Sequence, residues 1–196
     1  FPQRCRIGLL AAAVALCVFG CAGSAPRLYV NPGADMSYYK KVAVLPFNNL
    51  TPDRYAGDRI TRSFITELII ADRYQIIEPA DFWIILERIG GTPGVQGVYD
   101  PKKLKDAATE AGANGLIRGA VTEYQMQRSG SNDVPVLAFD VELMDVATGN
   151  VVWRASMNKR GKGRVPIVGG GGVRTYGRLT EEACKEMVKL LEKEAF

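Results

Sequence analysis

Three acidic residues are the first candidates for chemistry in this sequence. Asp140, Glu142 and Asp145 lie on or beside one predicted strand, where alternation puts Asp140 and Glu142 on the same face. Such carboxylates could form an acid–base pair or hold a metal ion, but both kinds of site usually recruit histidine or cysteine. The chain contains no histidine. We therefore expect these acids to lie on a solvated sheet edge, with no metal site and no catalytic residue.

A run of glycines is the second candidate. Residues 168–173 read Val-Gly-Gly-Gly-Gly-Val, and glycine-rich loops can cradle phosphate groups. The run lacks the Gly-Lys-Ser/Thr ending of a phosphate loop, and no strand and helix flank it at the required spacing. We interpret it as a flexible connection and expect no cofactor.

Cys21 has surroundings that point to a specific modification. Arg4 and Arg6 precede an uncharged run, residues 7–19, of about the length of a signal-peptide core. The run leads into Val18-Phe-Gly-Cys21, which resembles the bacterial lipobox, with a small residue before the lipidated cysteine. The thiol would form a thioether to diacylglycerol, and an N-acyl chain on the new amino terminus would complete a multi-chain anchor.

Cleavage before Cys21 divides the chain into three parts. Residues 1–20 become the signal peptide, residues 21–39 the lipidated cysteine with a flexible tether rich in Gly, Ser, Pro and Asn, and residues 40–196 the domain. Because Ala22 rather than aspartate follows the cysteine, the lipoprotein sorting rule points to the outer membrane, with the domain facing the periplasm. The alternative is an ordinary secretory signal cleaved near Ala25.

The elements that follow predict one α/β domain. Apolar periodicity and turn residues give the order β-α-β-α-α-β-β-β-α, which favours a mixed sheet flanked by helices. The predicted strands cover about residues 42–47, 74–78, 115–124, 136–146 and 151–157, and the helices about 53–69, 79–88, 101–111 and 179–194. We leave residues 125–134 and 158–178 as loops. Trp153 and Cys184 are expected to be buried.

Four segments together resemble the CsgG-like superfamily. They are Lys41-Val-Ala-Val-Leu-Pro-Phe-Asn-Asn-Leu50, Arg73-Tyr-Gln-Ile-Ile-Glu78, Ala111-Gly-Ala-Asn-Gly-Leu-Ile-Arg-Gly119 and residues 141–153. The superfamily includes the curli secretion lipoprotein, the penicillin-binding-protein activator lipoprotein LpoB and, more distantly, the amino-terminal domain of TolB. The resemblance implies the fold over about residues 40–157, but each motif is a turn or a strand, and a fold does not fix an activity.

A basic segment is the candidate for binding a partner. From Arg154 to Arg178 the chain has cations and glycines and no acid. The candidate residues are Lys159, Arg160, Lys162, Arg164, Arg174 and Tyr176. A solvated loop is the default explanation; the alternative is a docking surface for anionic head groups, peptidoglycan or an acidic protein.

Composition and charge limit the classes of function. The net charge of +4 falls to +2 without residues 1–20, which argues against nucleic acid as a partner. The absence of a nucleophile–base set argues against an enzyme and a small-molecule substrate. We therefore expect a non-catalytic, lipid-anchored accessory protein of an envelope complex that binds envelope proteins, with a ring or other homo-oligomer as its expected assembly, in secretion or surface-structure assembly. The alternative is a regulator of a peptidoglycan synthase, although the short tether counts against it.

Overall fold

The computed structural model describes residues 26–92, 99–130, 132–161, 173 and 175–195. This part of the chain forms strands and helices in the predicted order, with two short strands and one turn of 3₁₀ helix added. The strands are β1 (Arg27–Val30), β2 (Lys41–Val44), β3 (Asn48–Asn49), β4 (Gln75–Ile77), β5 (Gly115–Ser129), β6 (Asn132–Asp145) and β7 (Val151–Arg160). The helices are α1 (Ala56–Ala71), α2 (Pro79–Arg88), α3 (Pro101–Glu110) and α4 (Tyr176–Ala195), and the 3₁₀ turn is Met36–Tyr38.

The strands form one mixed sheet in the order β1-β7-β6-β5-β2-β4, and β3 also pairs with β5. β2 is parallel to both β4 and β5, because a helical connection lies between these strands along the chain. β5, β6, β7 and β1 are antiparallel to one another. The expected α/β class with a mixed sheet and flanking helices is therefore confirmed.

Each face of the sheet carries one helix pair. α1 and α4 cover one face, where Phe64, Leu68, Phe139 and Trp153 are buried together. α2 and α3 cover part of the other face, over β2 and the adjoining ends of β5 and β6. Among the described residues, no helix covers the rest of that second face, along β5, β6, β7 and β1, which we call the open face.

The start of the domain differs from the expected boundary at residue 40. Residues 27–30 pair with β7, with Arg27 opposite Ser156 and Val30 opposite Trp153. Val30 also packs against the α1–α4 core. The expectation of a flexible tether throughout residues 21–39 is therefore wrong from Arg27 onward. A short exposed strand gives little apolar periodicity, and its partner lies more than 120 residues away in the chain.

The two expected loops are shorter than the sequence predicts. Residues 125–129 and 132–134 continue β5 and β6 as a long hairpin, with Gly130 in its turn at a φ of +61°. Residues 158–160 belong to β7, and residues 176–178 begin α4. The sequence missed residues 125–129 and 158–160 because exposed strand residues are held by the backbone ladder and need no apolar repeat.

Two predicted core residues are buried as expected. Trp153 is fully buried in β7. Cys184 is fully buried on α4, and this burial raises the pKa of its thiol to about 12, so the side chain acts as a small hydrophobe. Within the described ranges, the search for a helix of the length and apolar character needed to span a membrane finds none.

Candidate protein-binding surface

Five side chains from three segments meet beside the amino-terminal end of α1. The Tyr124 and Tyr176 rings stack with their centroids 4.5 Å apart and their planes 14° from parallel. The Arg59 guanidinium carbon lies 5.9 Å from the Tyr124 centroid and 5.8 Å from the Tyr55 centroid. The Arg54 guanidinium carbon lies 4.9 Å from the Tyr55 centroid. We call Arg54, Tyr55, Arg59, Tyr124 and Tyr176 the arginine–tyrosine cluster.

The loop before α1 is fixed by side-chain hydrogen bonds. Asn49 accepts from the Thr51 backbone N–H at 3.0 Å and donates to the Asp53 carbonyl at 2.7 Å. Asp53 in turn accepts from the Tyr55 backbone N–H at 2.9 Å and forms an ion pair with Arg59 at 3.3 Å. These turns are ones that Asn and Asp favour. The loop therefore presents Arg54 and Tyr55 from a defined backbone.

A close approach between α1 and the sheet sets the position of this loop. A Cβ on Gly57 would lie 2.7 Å from the Phe47 carbonyl oxygen and 3.2 Å from Cβ of Asn49. Only glycine permits that distance. Next to it, the Thr61 hydroxyl accepts from the Phe47 backbone N–H at 2.9 Å. The first turn of α1 is therefore held directly on the chain between β2 and β3.

The surroundings favour a charged Arg59 and a neutral Tyr176. Burial raises the pKa of Tyr176, and the neighbouring Tyr124 adds to the effect. A hydrogen bond with Tyr124 raises the pKa of Arg59. Tyr55 is 49% exposed, and Leu50 and Met126 are also exposed. Tyrosine and arginine are the residue types that most often dominate binding energy at protein interfaces.

The structure divides the six residues of the predicted basic site. Tyr176 joins the arginine–tyrosine cluster. Lys159 forms an ion pair with Glu186 of α4 at 2.5 Å, and the Arg160 guanidinium donates to the Arg128 carbonyl at 3.5 Å. Lys162, Arg164 and Arg174 lie outside the described residues.

The two ends of the basic segment lie next to each other. Gly161 donates to the Pro135 carbonyl at 2.7 Å. A Cβ on Gly161 would lie 2.3 Å from the Val173 carbonyl oxygen. Gly161 and Val173 therefore lie next to each other, beside Pro135 of β6 and a few residues before Tyr176.

Sequence reasoning missed Arg54, Tyr55, Arg59 and Tyr124. Arg54 and Tyr55 follow a Thr51-Pro-Asp53 helix-start signal, so their types alone marked an exposed turn. Tyr124 looked like a strand residue of the core. The signal available in the sequence was the Arg54-Tyr55 pair before a helix. The rings of Tyr124 and Tyr176 meet only when β5 and α4 take their places in the fold.

A row of charges crosses the open sheet face. Arg118, Glu142 and Arg154 lie opposite one another on β5, β6 and β7. Glu142 is 8% exposed; it pairs with Arg118 and, at 3.5 Å, with Arg154. Asp140 pairs with Arg154 at 3.4 Å. The expected solvated sheet edge is thus wrong for these acids, because β6 lies inside the sheet.

The same charges border a cavity of about 350 Å³ between the open face and α3. Its lining residues include Asn48, Tyr99, Leu104, Arg118, Asp140 and Glu142. Burial raises the pKa of Asp140, although Arg154 opposes this effect. Because each carboxylate already faces arginine, the arrangement is a set of structural ion pairs rather than an acid–base pair. A search of the described residues finds no group of three His, Cys, Asp or Glu side chains that could hold a metal ion.

Asp145, the third acid, stabilises the β6–β7 turn. It accepts hydrogen bonds from the Thr148 backbone N–H at 2.5 Å, from the Thr148 hydroxyl at 2.7 Å and from the Tyr39 hydroxyl at 3.0 Å. Burial acts to raise the pKa of Asp145, but the hydrogen bonds from Thr148 and Tyr39 outweigh it and lower the pKa. Its role is structural.

Solved structures of other proteins are similar in fold to this chain. The PelC dodecamer from Paraburkholderia phytofirmans has 20% identity and a TM-score of 0.59, over 85% of this chain and 96% of that one. Lipoprotein GNA1162 from Neisseria meningitidis has 18% identity and a TM-score of 0.54, over 78% of this chain and 98% of that one. At these identities the likeness shows a shared fold. A comparison with curated protein sequences gives no significant match.

A family model gives the more specific result. The model described as peptidoglycan-synthase activator LpoB matches residues 26–158, about two thirds of the chain. The match begins next to β1, in agreement with the structural boundary, and includes Arg54, Tyr55, Arg59 and Tyr124. It ends before the last residues of β7, so Tyr176 and α4 lie beyond it. The chain therefore belongs to the family of the peptidoglycan-synthase activator LpoB.

Proposed function

We propose that this chain is a non-catalytic envelope lipoprotein that activates a peptidoglycan synthase by binding it. The observation that carries the proposal is the family match over residues 26–158. This function is the second of the two that the sequence leaves open, and the match favours it over a role in secretion or surface-structure assembly. The wider CsgG-like resemblance agrees with both roles.

The anchor is part of the proposal. Cys21 would carry diacylglycerol through its thiol and an acyl chain on its amino group, which holds the domain at a membrane. With Ala22 after the cysteine, that membrane would be the outer one, and the domain would face the periplasm. The protein would need no other cofactor, and its partners would be envelope proteins.

We assign partner binding to the arginine–tyrosine cluster. Arg54 and Tyr55 project from a rigid loop, so binding would order few additional side chains, and less conformational entropy would be lost. Arg59 already lies between two rings and an aspartate, which fixes its direction. A cationic aromatic surface of this kind suits an acidic face on the synthase. The basic residues Lys159, Arg160, Lys162, Arg164 and Arg174 would extend the same charge along the partner.

The experiment measures polymerisation of lipid-linked peptidoglycan precursor by a synthase of the same organism, with and without the purified lipoprotein. We expect the lipoprotein to raise the rate severalfold. Tyr55→Ala should remove most of the increase. Tyr38→Ala is the matched control, because Tyr38 is similarly exposed (54% against 49%) and contacts the ring of Tyr39, outside the arginine–tyrosine cluster. It should activate like the parent.

Two results would contradict the proposal. A rate that the parent protein leaves unchanged, with every synthase of the organism, would exclude the activator function. Equal activation by Tyr55→Ala and the parent would instead leave the function and reject the arginine–tyrosine cluster as the contact. Circular dichroism of each variant establishes that a lost effect is not lost folding.

A further inference from the structure

The direction of β1 determines which end of the domain faces the anchor. β1 is an edge strand antiparallel to β7, with Arg27 opposite Ser156 and Val30 opposite Trp153. The amino-terminal end of β1 therefore points the same way as the carboxyl-terminal end of β7. At that end of the sheet the β5–β6 hairpin turns at Gly130. We call it the hairpin end.

The hairpin extends farther than the chain between Cys21 and β1 can reach. Asp140 lies opposite Ser156, in the same row as Arg27, and eight residues of β6 separate it from Asn132 at the hairpin end. At about 3.4 Å per residue this distance is about 27 Å. Six residues lead from Cys21 to Arg27, and even fully extended they span at most about 21 Å.

The two lengths restrict how the domain sits on a membrane that holds Cys21. If the strands stood upright, the hairpin would have to enter the lipid. The strands must therefore lean away from the membrane normal, which brings the β1 edge and the hairpin close to the surface.

The hairpin end has a suitable surface. Arg128 is exposed there, Asp133 opposite it is an exposed acid, and Arg27 is exposed at the start of β1. The Arg160 guanidinium lies beside the Arg128 backbone. Met126 adds an apolar side chain that is 45% exposed. Excess arginine attracts anionic head groups at short range.

We propose that the anchored domain lies against the membrane surface, with β1 and the β5–β6 hairpin next to the lipid head groups. The proposal rests on the lipid anchor at Cys21 in the proposed function. It also constrains that function. Tyr124 is only five residues from the end of β5, so the synthase must present its contact surface close to the same membrane.

The test uses the full chain, lipidated in cells and reconstituted into vesicles of phosphatidylethanolamine and phosphatidylglycerol with nitroxide-labelled head groups. Fluorophores are placed on Ser129→Cys at the hairpin end and, as the control, on Ala147→Cys in the turn at the opposite end of β6. Cys184 is fully buried and should not be labelled. We expect strong quenching at residue 129 and little at residue 147.

Flotation of the vesicles separates the two proposals. Protein that does not float with the vesicles carries no lipid anchor. That result would reject both the anchor and the membrane orientation. Floating protein with no quenching at residue 129, or with equal quenching at both positions, overturns the orientation alone. Insertion of about twelve Gly and Ser residues after Ala25 lengthens the reach and should reduce quenching at residue 129. Unchanged quenching in that variant would show that the short tether is not what holds residue 129 near the membrane.

Discussion

The ring of Tyr176, the first residue of α4, lies nearly parallel to the ring of Tyr124 in β5, with 4.5 Å between their centroids. This stack joins the start of α4 to the base of the long hairpin. It also supplies one of the two rings that flank Arg59. A helix start, a strand and the loop before α1 are thereby linked in one surface.

Replacement of Tyr176 tests how much the ring stack contributes to the stability of the domain. Tyr176→Ala removes the stack and should lower the free energy of unfolding by at least the 0.5–1.5 kcal/mol or so that an aromatic pair contributes. Tyr176→Phe keeps the ring and should unfold like the parent. Urea denaturation of both variants measures the difference. Equal midpoints for the alanine variant and the parent would show that the stack contributes nothing.

Replacement of Trp153 tests the core beneath the β1–β7 pair. The side chain is fully buried, and truncation of a buried aromatic residue costs about 3–5 kcal/mol. Trp153→Ala should therefore unfold the domain or shift its denaturation midpoint strongly. Asn158→Ala, at an exposed position of the same strand, is the control and should change the midpoint little. A parent-like midpoint for Trp153→Ala would contradict its place in the core.

The lowered pKa of Asp145 predicts a loss of stability in acid. A carboxyl group whose pKa is lower in the folded state stabilises the fold at pH values above its unfolded pKa, about 3.9. That contribution disappears as the pH falls through the folded value. Asp145→Asn should lower stability at neutral pH and flatten the dependence below about pH 4. Denaturation at several pH values measures this, with the exposed Asp133→Asn as the control; the same acid loss in Asp145→Asn would assign it to other groups.

The basic segment can be tested without disturbing the fold. We expect Arg160, Lys162 and Arg164 changed together to Gln to leave the free energy of unfolding within about half a kcal/mol of the parent. Association with envelope partners should weaken, and the association of the parent should fall as salt rises. The control changes Lys185, Lys189 and Lys193 on α4 together to Gln, which removes the same number of positive charges from a different surface. If both triple variants recover the same partners, the segment is a solvated connection.

The predicted lipid anchor depends on the sulfur atom of Cys21. Cys21→Ser removes the thiol that the lipid requires, so the precursor should stay unprocessed or leave the membrane fraction. Mass spectrometry and membrane fractionation detect both changes. Cys184→Ser is the control, because its thiol is buried and remote from the signal. Unchanged mass and fractionation of the Cys21 variant would exclude lipidation.

The sequence by itself determined the order of the main elements. Apolar periodicity marked α1, α2, α3 and α4 and the buried parts of β2, β5, β6 and β7, because burial on one face imposes a repeat that can be recognised locally. Trp153 and Cys184 were assigned to the core for the same reason.

Only the tertiary structure decided what the exposed residues do. β1 is held by backbone pairing with β7, more than 120 residues away, and the exposed end of β5 is held by its ladder with β6, so neither shows an apolar repeat. The arginine–tyrosine cluster joins Tyr55, Tyr124 and Tyr176, three residues whose separation along the chain gives no sign of contact. Glu142 and Asp145 looked like solvated acids until the sheet placed arginines or hydrogen-bond donors beside them. Long-range pairing fixes these relationships, and a local pattern cannot encode them.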